Sequence, residues 1–258
     1  MSPDTPRLIL SPRGTDDGER LAAAAAPRGW QVERLKRWRV PADYAAPPEV
    51  ALYGEPLFCR VLAAQIDRVL LEPPHDWLLG LPSTLLGRAV GFTTLGALSD
   101  ERPLFVKPPD DKLFPAAVYA KPSALLAERA DLGPDEPVLI SDPVRIAREY
   151  RVHLLAGEAV ACSRYAIAGD LDIGVDDGCH RARAVAEQAA AAADTPSAVV
   201  IDVGPLADGR WIVVEANPCF GAGLYAAEPG PVLDVLRAAC LRPGDGDGRF
   251  CNPVVLEE

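Results

Sequence analysis

Lysine is scarce in this sequence of 258 residues, because only 4 of its 26 basic residues are lysines. Each lysine is therefore a stronger functional candidate than usual. The six cysteines include no CxxC pair, which excludes the common zinc-site and thiol-redox motifs. No apolar run reaches the ~20 residues of a membrane-spanning helix, and the first residues lack a signal-peptide pattern. We therefore expect a cytoplasmic protein with reduced cysteines and no membrane partner.

Several well-known catalytic motifs are also missing. The sequence has no GxxxxGK[ST] and therefore no Walker-type nucleotide site. No GxGxxG follows its first predicted strand, which argues against a dinucleotide site. GxSxG and HExxH are absent too, which excludes a hydrolase nucleophile elbow and a zinc-protease helix. Candidate catalytic residues must therefore be found from the spacing of single side chains.

Acidic residues predominate, and the formal net charge is −11. A protein with this charge repels a phosphate backbone. One basic run, at 34–39, is too short to reverse that repulsion. We therefore expect no nucleic-acid partner.

The pattern of strands and helices changes near residue 75. Before it, short apolar strands alternate with alanine-rich or amphipathic helices, which predicts a parallel sheet with covering helices. After it, apolar strands are joined by short turns, which is typical of antiparallel hairpins. The fold class is therefore α/β, with a small parallel-sheet α/β domain first.

The segment 198–217 predicts a buried hairpin with a functional face. Asp208 and Gly209 lie between two apolar runs, which is a strong hairpin signal. If they form a two-residue turn, Asp202 lies opposite Glu215, and Asn217 shares their face. Opposed carboxylates repel each other, and oxygen ligands at this spacing suit Mg²⁺. The alternative is an exposed sheet face with two unrelated acids.

A second predicted hairpin lies at 149–167. Its turn is either Ala156-Gly157 or Gly157-Glu158, and both registers place Glu149, Arg151 and Arg164 on one face. Two arginines there could hold an anion, because a guanidinium matches phosphate oxygens, and the glutamate could bond a sugar hydroxyl. The alternative is a lattice of surface ion pairs. His153 shares the face of Arg151 and is expected to be a packed or surface histidine.

Two lysines follow the same logic. Lys107 ends the apolar strand 104–107 and could contact a phosphate as a point charge, or extend harmlessly to solvent. Lys112, in the next loop, is a second candidate for the same task.

Taken in order, these segments resemble the ATP-grasp superfamily. The resemblance covers about residues 75–230 and is carried by Phe-Val-Lys-Pro at 105–108, the hinge-like Val-Leu-Ile-Ser-Asp-Pro-Val at 138–144, Glu-Tyr-Arg-Val at 149–152, and Asp202 followed by Val-Glu-Ala-Asn at 214–217. The sequence is most similar to a clade named for two arginines and one lysine, which would here be the catalytic residues Arg151, Arg164 and Lys107.

The resemblance implies a fold of two α+β subdomains that enclose ATP, preceded by the parallel-sheet domain. The implied division is 1–75 for the N-terminal domain, 76–142 for the small subdomain and 143–258 for the large subdomain with the metal-binding hairpin. Many members have a glycine-rich loop after the first lysine strand, and here 108–114 replaces it, with Lys112 as a substitute. The implied nucleotide-binding residues are Lys107, Lys112, Ser141, Asp142, Val144, Glu149 and Arg151, and the implied magnesium ligands are Asp202, Glu215 and Asn217.

The resemblance also implies a function. Members usually use ATP and Mg²⁺ to activate a carboxylate as an acyl phosphate, which an amine (or thiol) then attacks. We therefore expect a ligase that releases ADP and acts on small-molecule or peptide carboxylate and amine substrates. Two alternatives stay open, a kinase of the same superfamily and a non-catalytic nucleotide-binding module. The sequence does not indicate the oligomeric state.

Overall fold

The computed structural model describes residues 5–41, 43–109, 113–246 and 248–251. These residues form mixed α/β structure, as predicted. In chain order the strands are β1 (Arg7–Leu10), β2 (Gln31–Arg34), β3 (Val50–Tyr53), β4 (Val69–Leu70), β5 (Val90–Thr94), β6 (Leu104–Lys107), β7 (Ala117–Tyr119), β8 (Pro137–Ser141), β9 (Arg148–Leu155), β10 (Glu158–Ile167), β11 (Asp170–Gly174), β12 (Ala198–Pro205), β13 (Trp211–Asn217) and β14 (Cys240–Leu241). The α-helices there are α1 (Asp16–Ala25), α2 (Pro56–Gln65), α3 (Ser83–Leu86), α4 (Ala124–Glu128), α5 (Gly178–Ala192) and α6 (Pro229–Ala238).

The first sheet is parallel, with strand order β2-β1-β3. Helix α1 begins where the Thr15 hydroxyl accepts a hydrogen bond from the Gly18 amide at 3.1 Å. The first turn of α1 is acidic, and these negative charges stabilise the helix because they lie at the positive end of its dipole. Helix α2 begins with proline, which has no amide hydrogen to leave unpaired there. The predicted parallel α/β unit is therefore confirmed.

A four-stranded antiparallel sheet follows, with strand order β5-β8-β6-β7. Burial alternates along β6, where Leu104 and Val106 are buried. Side chains of a strand alternate between its two faces. Phe105 and Lys107 therefore share the opposite face, which is turned away from the core of this sheet.

A five-stranded antiparallel sheet has the order β11-β10-β9-β12-β13. Helix α5 covers one face, where apolar side chains such as Tyr150 and Ile201 join the core. The other face carries the functional candidates, because Arg151 and Asp202 occupy the alternate positions of β9 and β12.

The pairing of β12 with β13 confirms that Asp202 lies opposite Glu215. The two-residue turn assumed from the sequence is wrong, however, because Leu206 and Arg210 are bonded across a three-residue loop, with a Leu206 N to Arg210 O distance of 2.8 Å. A β-bulge between the turn and the acids, at Val214, shifts the register back by one residue. The two one-residue changes cancel at the carboxylates.

The prediction that Arg164 shares a face with Glu149 and Arg151 is wrong. The Ala156-Gly157 turn forms, and both residues have the positive φ of a tight hairpin turn. A register shift between Ala159 and Ala161 then pairs Arg164 with Tyr150. Arg164 therefore lies on the face covered by α5, where it forms ion pairs with Asp172 and Asp176.

Among the described residues, apolar side chains form three clusters. One joins the parallel sheet to α6, one lies between the five-stranded sheet and α5, and one belongs to the four-stranded sheet. The first cluster contains residues from the start and the end of the chain, so the first 75 residues do not have a core of their own. The division at 1–75, 76–142 and 143–258 stays a prediction. In the described ranges, no helix has both the length and the hydropathy to cross a bilayer.

We expect Gly204→Ala to destabilise the protein, because an added Cβ would lie 2.2 Å from the backbone oxygen of Arg148. Strand β9 would have to shift, at a cost of roughly 1–3 kcal/mol, which corresponds to a fall in Tm of roughly 3–10 °C. The control is Gly133→Ala, where a Cβ meets no atom within 4 Å. Equal melting temperatures for the two variants in calorimetry would contradict this close approach.

Candidate active site

Four charged side chains meet between the four-stranded and five-stranded sheets. Arg151, Asp202 and Glu215 lie side by side on β9, β12 and β13, since Asp202 pairs with Arg151 on one side and with Glu215 on the other. Lys107 extends from the end of β6 in the other sheet and forms an ion pair with Glu215. The site therefore spans both sheets.

Asp202 is fully buried and bonded on one side to a single guanidinium. Arg151 donates from Nε at 2.9 Å and from Nη2 at 2.7 Å to its two carboxylate oxygens. Burial, together with the nearby charge of Glu215, raises the pKa of Asp202 to about 6, although Arg151 opposes the shift. Burial lowers the pKa of Arg151, but the charge and hydrogen bonds of Asp202 outweigh it and hold that pKa above its ordinary value. The arginine therefore stays charged.

Glu215 is stabilised in its charged form. Burial raises its pKa, but the charge and hydrogen bond of Lys107 and the hydrogen bond from Asn217 lower it to about 2. Asn217 donates from Nδ2 to Glu215 Oε1 at 2.9 Å and to Asp202 Oδ2 at 3.3 Å. The asparagine therefore bridges the two acids, as its predicted position on their face requires.

The side chains of Asp202, Glu215 and Asn217 suit a hard divalent cation. In the described residues, no group of three or more His, Cys, Asp and Glu side chains has a metal-binding arrangement. The set here is different, since it consists of two carboxylates and one amide, which offers oxygen ligands only. Mg²⁺ prefers such ligands and completes its shell with water and substrate phosphates. Asp202, Glu215 and Asn217 can therefore hold Mg²⁺ if Lys107 releases Glu215.

The rings of two tyrosines lie against Arg151. The rings of Tyr165 and Tyr225 are stacked, with centroids 5.1 Å apart, and the guanidinium carbon lies 5.4 Å and 5.1 Å from their respective centroids. The Tyr165 hydroxyl donates to Glu149 Oε2 at 2.7 Å. Burial, with the charges of nearby acids, raises the pKa of Tyr165, so this donor keeps its proton. The aromatic contacts fix the guanidinium against Asp202.

Helix α1 fixes the segment that carries Tyr225. Asp17 accepts hydrogen bonds from the Leu224 amide at 2.9 Å and from the Tyr53 hydroxyl at 3.1 Å. Arg20 donates to the backbone oxygens of Tyr225 and Ala227. Tyr225 has a φ of 52°, which is strained for a tyrosine and persists only where its surroundings hold it. The parallel-sheet unit therefore builds part of the site wall.

Two cavities meet at this centre. The first has a volume of about 410 Å³ and the second about 670 Å³. Both are lined by Lys107, Pro109, Glu215 and Asn217. The first cavity also reaches Arg151, and its other lining residues are Pro56, Glu72, Pro73, Pro74, His75, Trp77, Leu78, Leu139, Ala216, Pro218, Gly221, Ala222, Gly223 and Tyr225.

The second cavity extends toward the loop that precedes β7. It is lined by Phe105 and Val214, which are apolar, and by Glu149 and Tyr165. Arg129 lies at its edge and donates to the Leu113 backbone oxygen. An apolar platform, a carboxylate and the amine of Lys107 are therefore available in one space.

Several predicted site residues lie away from these linings. Ser141 is buried, Asp142 is bonded to the Ala89 amide at 3.0 Å and paired with Arg102, and Val144 is half-buried. They form the connection between the two sheets, as a hinge would, but line neither cavity. Arg164 lines neither cavity, and the prediction for Lys112 lies outside the described residues.

The sequence did not single out Arg88, Tyr165 or the Asp17/Arg20 pair as contributors to the site. The predicted register placed Arg164 on the face of Arg151 and therefore hid its neighbour Tyr165, which only the register shift brings to that face. Tyr225 and Arg20 are far apart in sequence and meet only through the tertiary fold. No local sequence pattern marks Arg88 as functional, because it follows a glycine in the irregular segment between α3 and β5.

Comparisons with known proteins show the family and the fold of the chain. Residues 85–235 match the model of an ATP-grasp domain family, the second family of the clade named for two arginines and one lysine. No curated protein matches by sequence.

Solved structures give the same fold. The D-cycloserine synthetase DcsG is 19% identical, with a TM-score of 0.54, over 90% of this chain and 98% of that one. The macrocyclase MdnC from Microcystis aeruginosa MRC, bound to precursor peptide MdnA, is 13% identical, with a TM-score of 0.57, over 89% and 99%. The ATP-grasp ligase PsnB, in complex with a minimal precursor, Mg and ADP, is 14% identical, with a TM-score of 0.53, over 93% and 98%. The chain therefore has the ATP-grasp fold.

His153 gives a prediction about pH. It lies beside Arg151 on β9, is fully buried, and neither ring nitrogen has a hydrogen-bond partner. Burial, with the charge of Arg151, lowers its pKa from 6.5 to about 3. As the pH falls through this window the unfolded chain binds a proton and the folded chain does not, so stability falls by at most about 1.4 kcal/mol per pH unit.

We therefore expect His153→Leu to gain stability relative to the natural protein as the pH is lowered from 8 to 5, in urea unfolding at each pH. The exposed His180→Gln is the control and should show a constant difference. A constant difference for His153→Leu as well would show that His153 binds a proton equally readily in the folded and unfolded states, which would contradict the lowered pKa.

Proposed function

Because the chain belongs to the second ATP-grasp family of the clade named for two arginines and one lysine, we propose that it is an ATP- and Mg²⁺-dependent ligase. It joins a carboxylate to an amine (or thiol) and releases ADP. The observation that carries this proposal is the junction of the two cavities at Lys107, Glu215 and Asn217. One cavity can receive the nucleotide and the other the substrates, with the reacting phosphate between them.

The second cavity suits the nucleotide. Phe105 and Val214 offer apolar surface to a base, and Glu149 offers a carboxylate to the hydroxyls of a ribose. The triphosphate then points toward Lys107. Phosphoryl transfer depends mainly on positioning and on neutralising charge, and the residues of this site supply both.

Among the described residues, Lys107 and Arg151 are the lysine and arginine that line the first cavity, and Lys107 lines the second cavity as well. In the free protein each is held by one acid, Lys107 by Glu215 and Arg151 by Asp202. A phosphate offers Lys107 a second anionic partner, and Glu215 is then released for metal binding. When bound, Mg²⁺ supplies charge neutralisation at the phosphate oxygens. Arg151 keeps one amino group, Nη1, free of Asp202, and its side chain belongs to the lining of the first cavity.

The proposed reaction has two steps. A substrate carboxylate oxygen attacks the γ-phosphorus, the bond from that phosphorus to the β–γ bridging oxygen breaks, and ADP leaves. The amine nitrogen then attacks the acyl carbon, phosphate leaves with the carbon–oxygen bond electrons, and the amine loses a proton. Lys107 and Arg151 stabilise the negative charge in both steps, and the protein forms no covalent bond.

The first cavity suits the carboxylate and the amine. Arg151 and Lys107 offer positive charge at one end, while prolines and glycines form much of the rest of its wall. The similar solved structures include a ligase with a minimal precursor and a macrocyclase with a precursor peptide. We propose small-molecule or peptide carboxylates and amines as substrates of this cavity.

The direct test is an ADP-release screen of carboxylates with hydroxylamine in place of the amine. We expect release that depends on ATP, Mg²⁺ and one class of carboxylate, and a hydroxamate product in mass spectrometry, because hydroxylamine traps an acyl phosphate. Lys107→Met should abolish release, whereas the exposed Lys121→Met should not. A stable phosphoester product would indicate a kinase, and nucleotide binding without turnover would indicate a non-catalytic module.

The two arginines should differ in this assay. Arg151→Lys loses the paired hydrogen bonds to Asp202, and we expect kcat and kcat/KM to fall together by roughly 100-fold. Arg164→Lys changes a side chain on the opposite face, and we expect rates within roughly twofold of the natural protein. A large loss of kcat in Arg164→Lys, with unchanged Tm, would return Arg164 to the catalytic residues.

A further inference from the structure

The direction of the Glu215 side chain depends on the β-bulge at Val214. Val203 pairs with Val213, and Asp202 pairs with Glu215, so Val214 is an extra residue on β13. Side chains alternate between the faces of a strand, and a shift of one residue exchanges the faces. Without the bulge, the Glu215 carboxylate would point toward the α5 side, away from Lys107.

Arg88 binds the bulge directly. Its Nη1 donates to the Val213 backbone oxygen at 2.8 Å, and its Nη2 donates to the Val214 backbone oxygen at 3.1 Å. Strand β13 is the terminal strand of its sheet, so its outward carbonyls have no neighbouring strand to bind them. Bulges leave backbone groups unpaired, and the guanidinium satisfies two of these groups at once.

The local backbone fixes the position of Arg88. Gly87 ends α3 in the left-handed conformation, with a φ of 62°, and an added Cβ there would lie 2.4 Å from Ile212 Cγ2. Only a glycine allows the chain to approach β13 so closely, and Arg88 follows directly. A further hydrogen bond, from its Nη1 to the Leu86 oxygen at 3.0 Å, holds the guanidinium in place.

Arg88 also lies where the two sheets are connected. The next residue, Ala89, forms two hydrogen bonds with Asp142, one through each backbone group and both at 3.0 Å. Beyond Ala89 the chain enters β5 of the four-stranded sheet. Burial lowers the pKa of Arg88, with the charge of Glu215 opposing the shift. The charged form of this half-buried arginine is stabilised by the two β13 carbonyls and by the charge of Glu215.

We propose that Arg88 is a positioning residue for metal-dependent nucleotide binding, because it holds the bulge that turns Glu215 toward Asp202 and Lys107. It contacts the β13 backbone and lines neither cavity, so it acts through Glu215. This inference rests on the proposed function, because its test measures the binding of ADP in the presence of Mg²⁺.

The test compares ADP binding in Mg²⁺ with ADP binding in EDTA, by calorimetry. Arg88→Lys keeps the charge but cannot form two divergent hydrogen bonds. Loss of groups that orient metal ligands typically weakens metal binding 10–100-fold. We therefore expect the gain in ADP affinity from Mg²⁺ to fall by roughly 10-fold or more, with affinity in EDTA within roughly twofold. The control Arg210→Lys changes an exposed arginine on the same hairpin and should alter neither value.

A second measurement needs no ligand. Amide hydrogen exchange in the free protein should become faster at 213–217 in Arg88→Lys, and should stay unchanged in β9. Arg88→Gln serves if the lysine variant does not fold. Equal losses of ADP affinity with and without Mg²⁺, or unchanged exchange at 213–217, would overturn the inference. If the natural protein binds no ADP while exchange rises in the variant, the proposed function fails, and the result supports only the part of the inference in which Arg88 holds the bulge.

Discussion

The site depends on two carboxylates that lie side by side and are each neutralised by a cation from a different element. Like charges directly opposed on a sheet repel each other, and Asp202 is fully buried. Arg151 compensates Asp202 from the adjacent strand, and Lys107 compensates Glu215 from the other sheet. If one partner is removed, a buried charge is left uncompensated, at a cost of roughly 3–5 kcal/mol. The same cations are the groups that a phosphate would attract, so the charge balance that permits folding also prepares the site for an anionic ligand.

Much of this arrangement could be predicted from local sequence, but for reasons that were only partly right. The alternating valines and isoleucines around Asp202 and Glu215 predicted a buried hairpin, and the Asp208-Gly209 pair located its turn to within one residue. The opposed carboxylates were predicted correctly because the longer turn and the bulge at Val214 cancel. In the other hairpin one of the two turns left open, Ala156-Gly157, forms, and an uncompensated register shift between Ala159 and Ala161 places Arg164 on the opposite face. Period-two patterns report which residues alternate, but they do not report bulges, which arise from the twist and the neighbours of each strand.

The rest of the site was not predictable from one sequence because it is assembled from distant segments. Strand β5 was missed since its burial is partial along its length, and the arginine that precedes it has meaning only beside β13. The predicted hinge residues Ser141, Asp142 and Val144 do connect the sheets, yet the contacts of Asp142 with Ala89 and Arg102 cross long stretches of chain. Residue spacing predicts which side chains meet where both lie on one hairpin, but it carries no information on partners that meet through tertiary packing.

The parallel-sheet unit has a defined relation to the charged centre. Asp17 and Arg20 hold the segment that carries Tyr225, Tyr225 packs on Arg151, and Arg151 binds Asp202. Each member of this chain of contacts touches the next, so contiguous packing connects the first helix to the acids. Tyr225 lines the first cavity and not the second. A change in helix α1 should therefore alter the first cavity more than the second. This asymmetry follows from the contact of α1 with the Tyr225 segment alone, because Tyr165, the other ring of the pair, lines the second cavity.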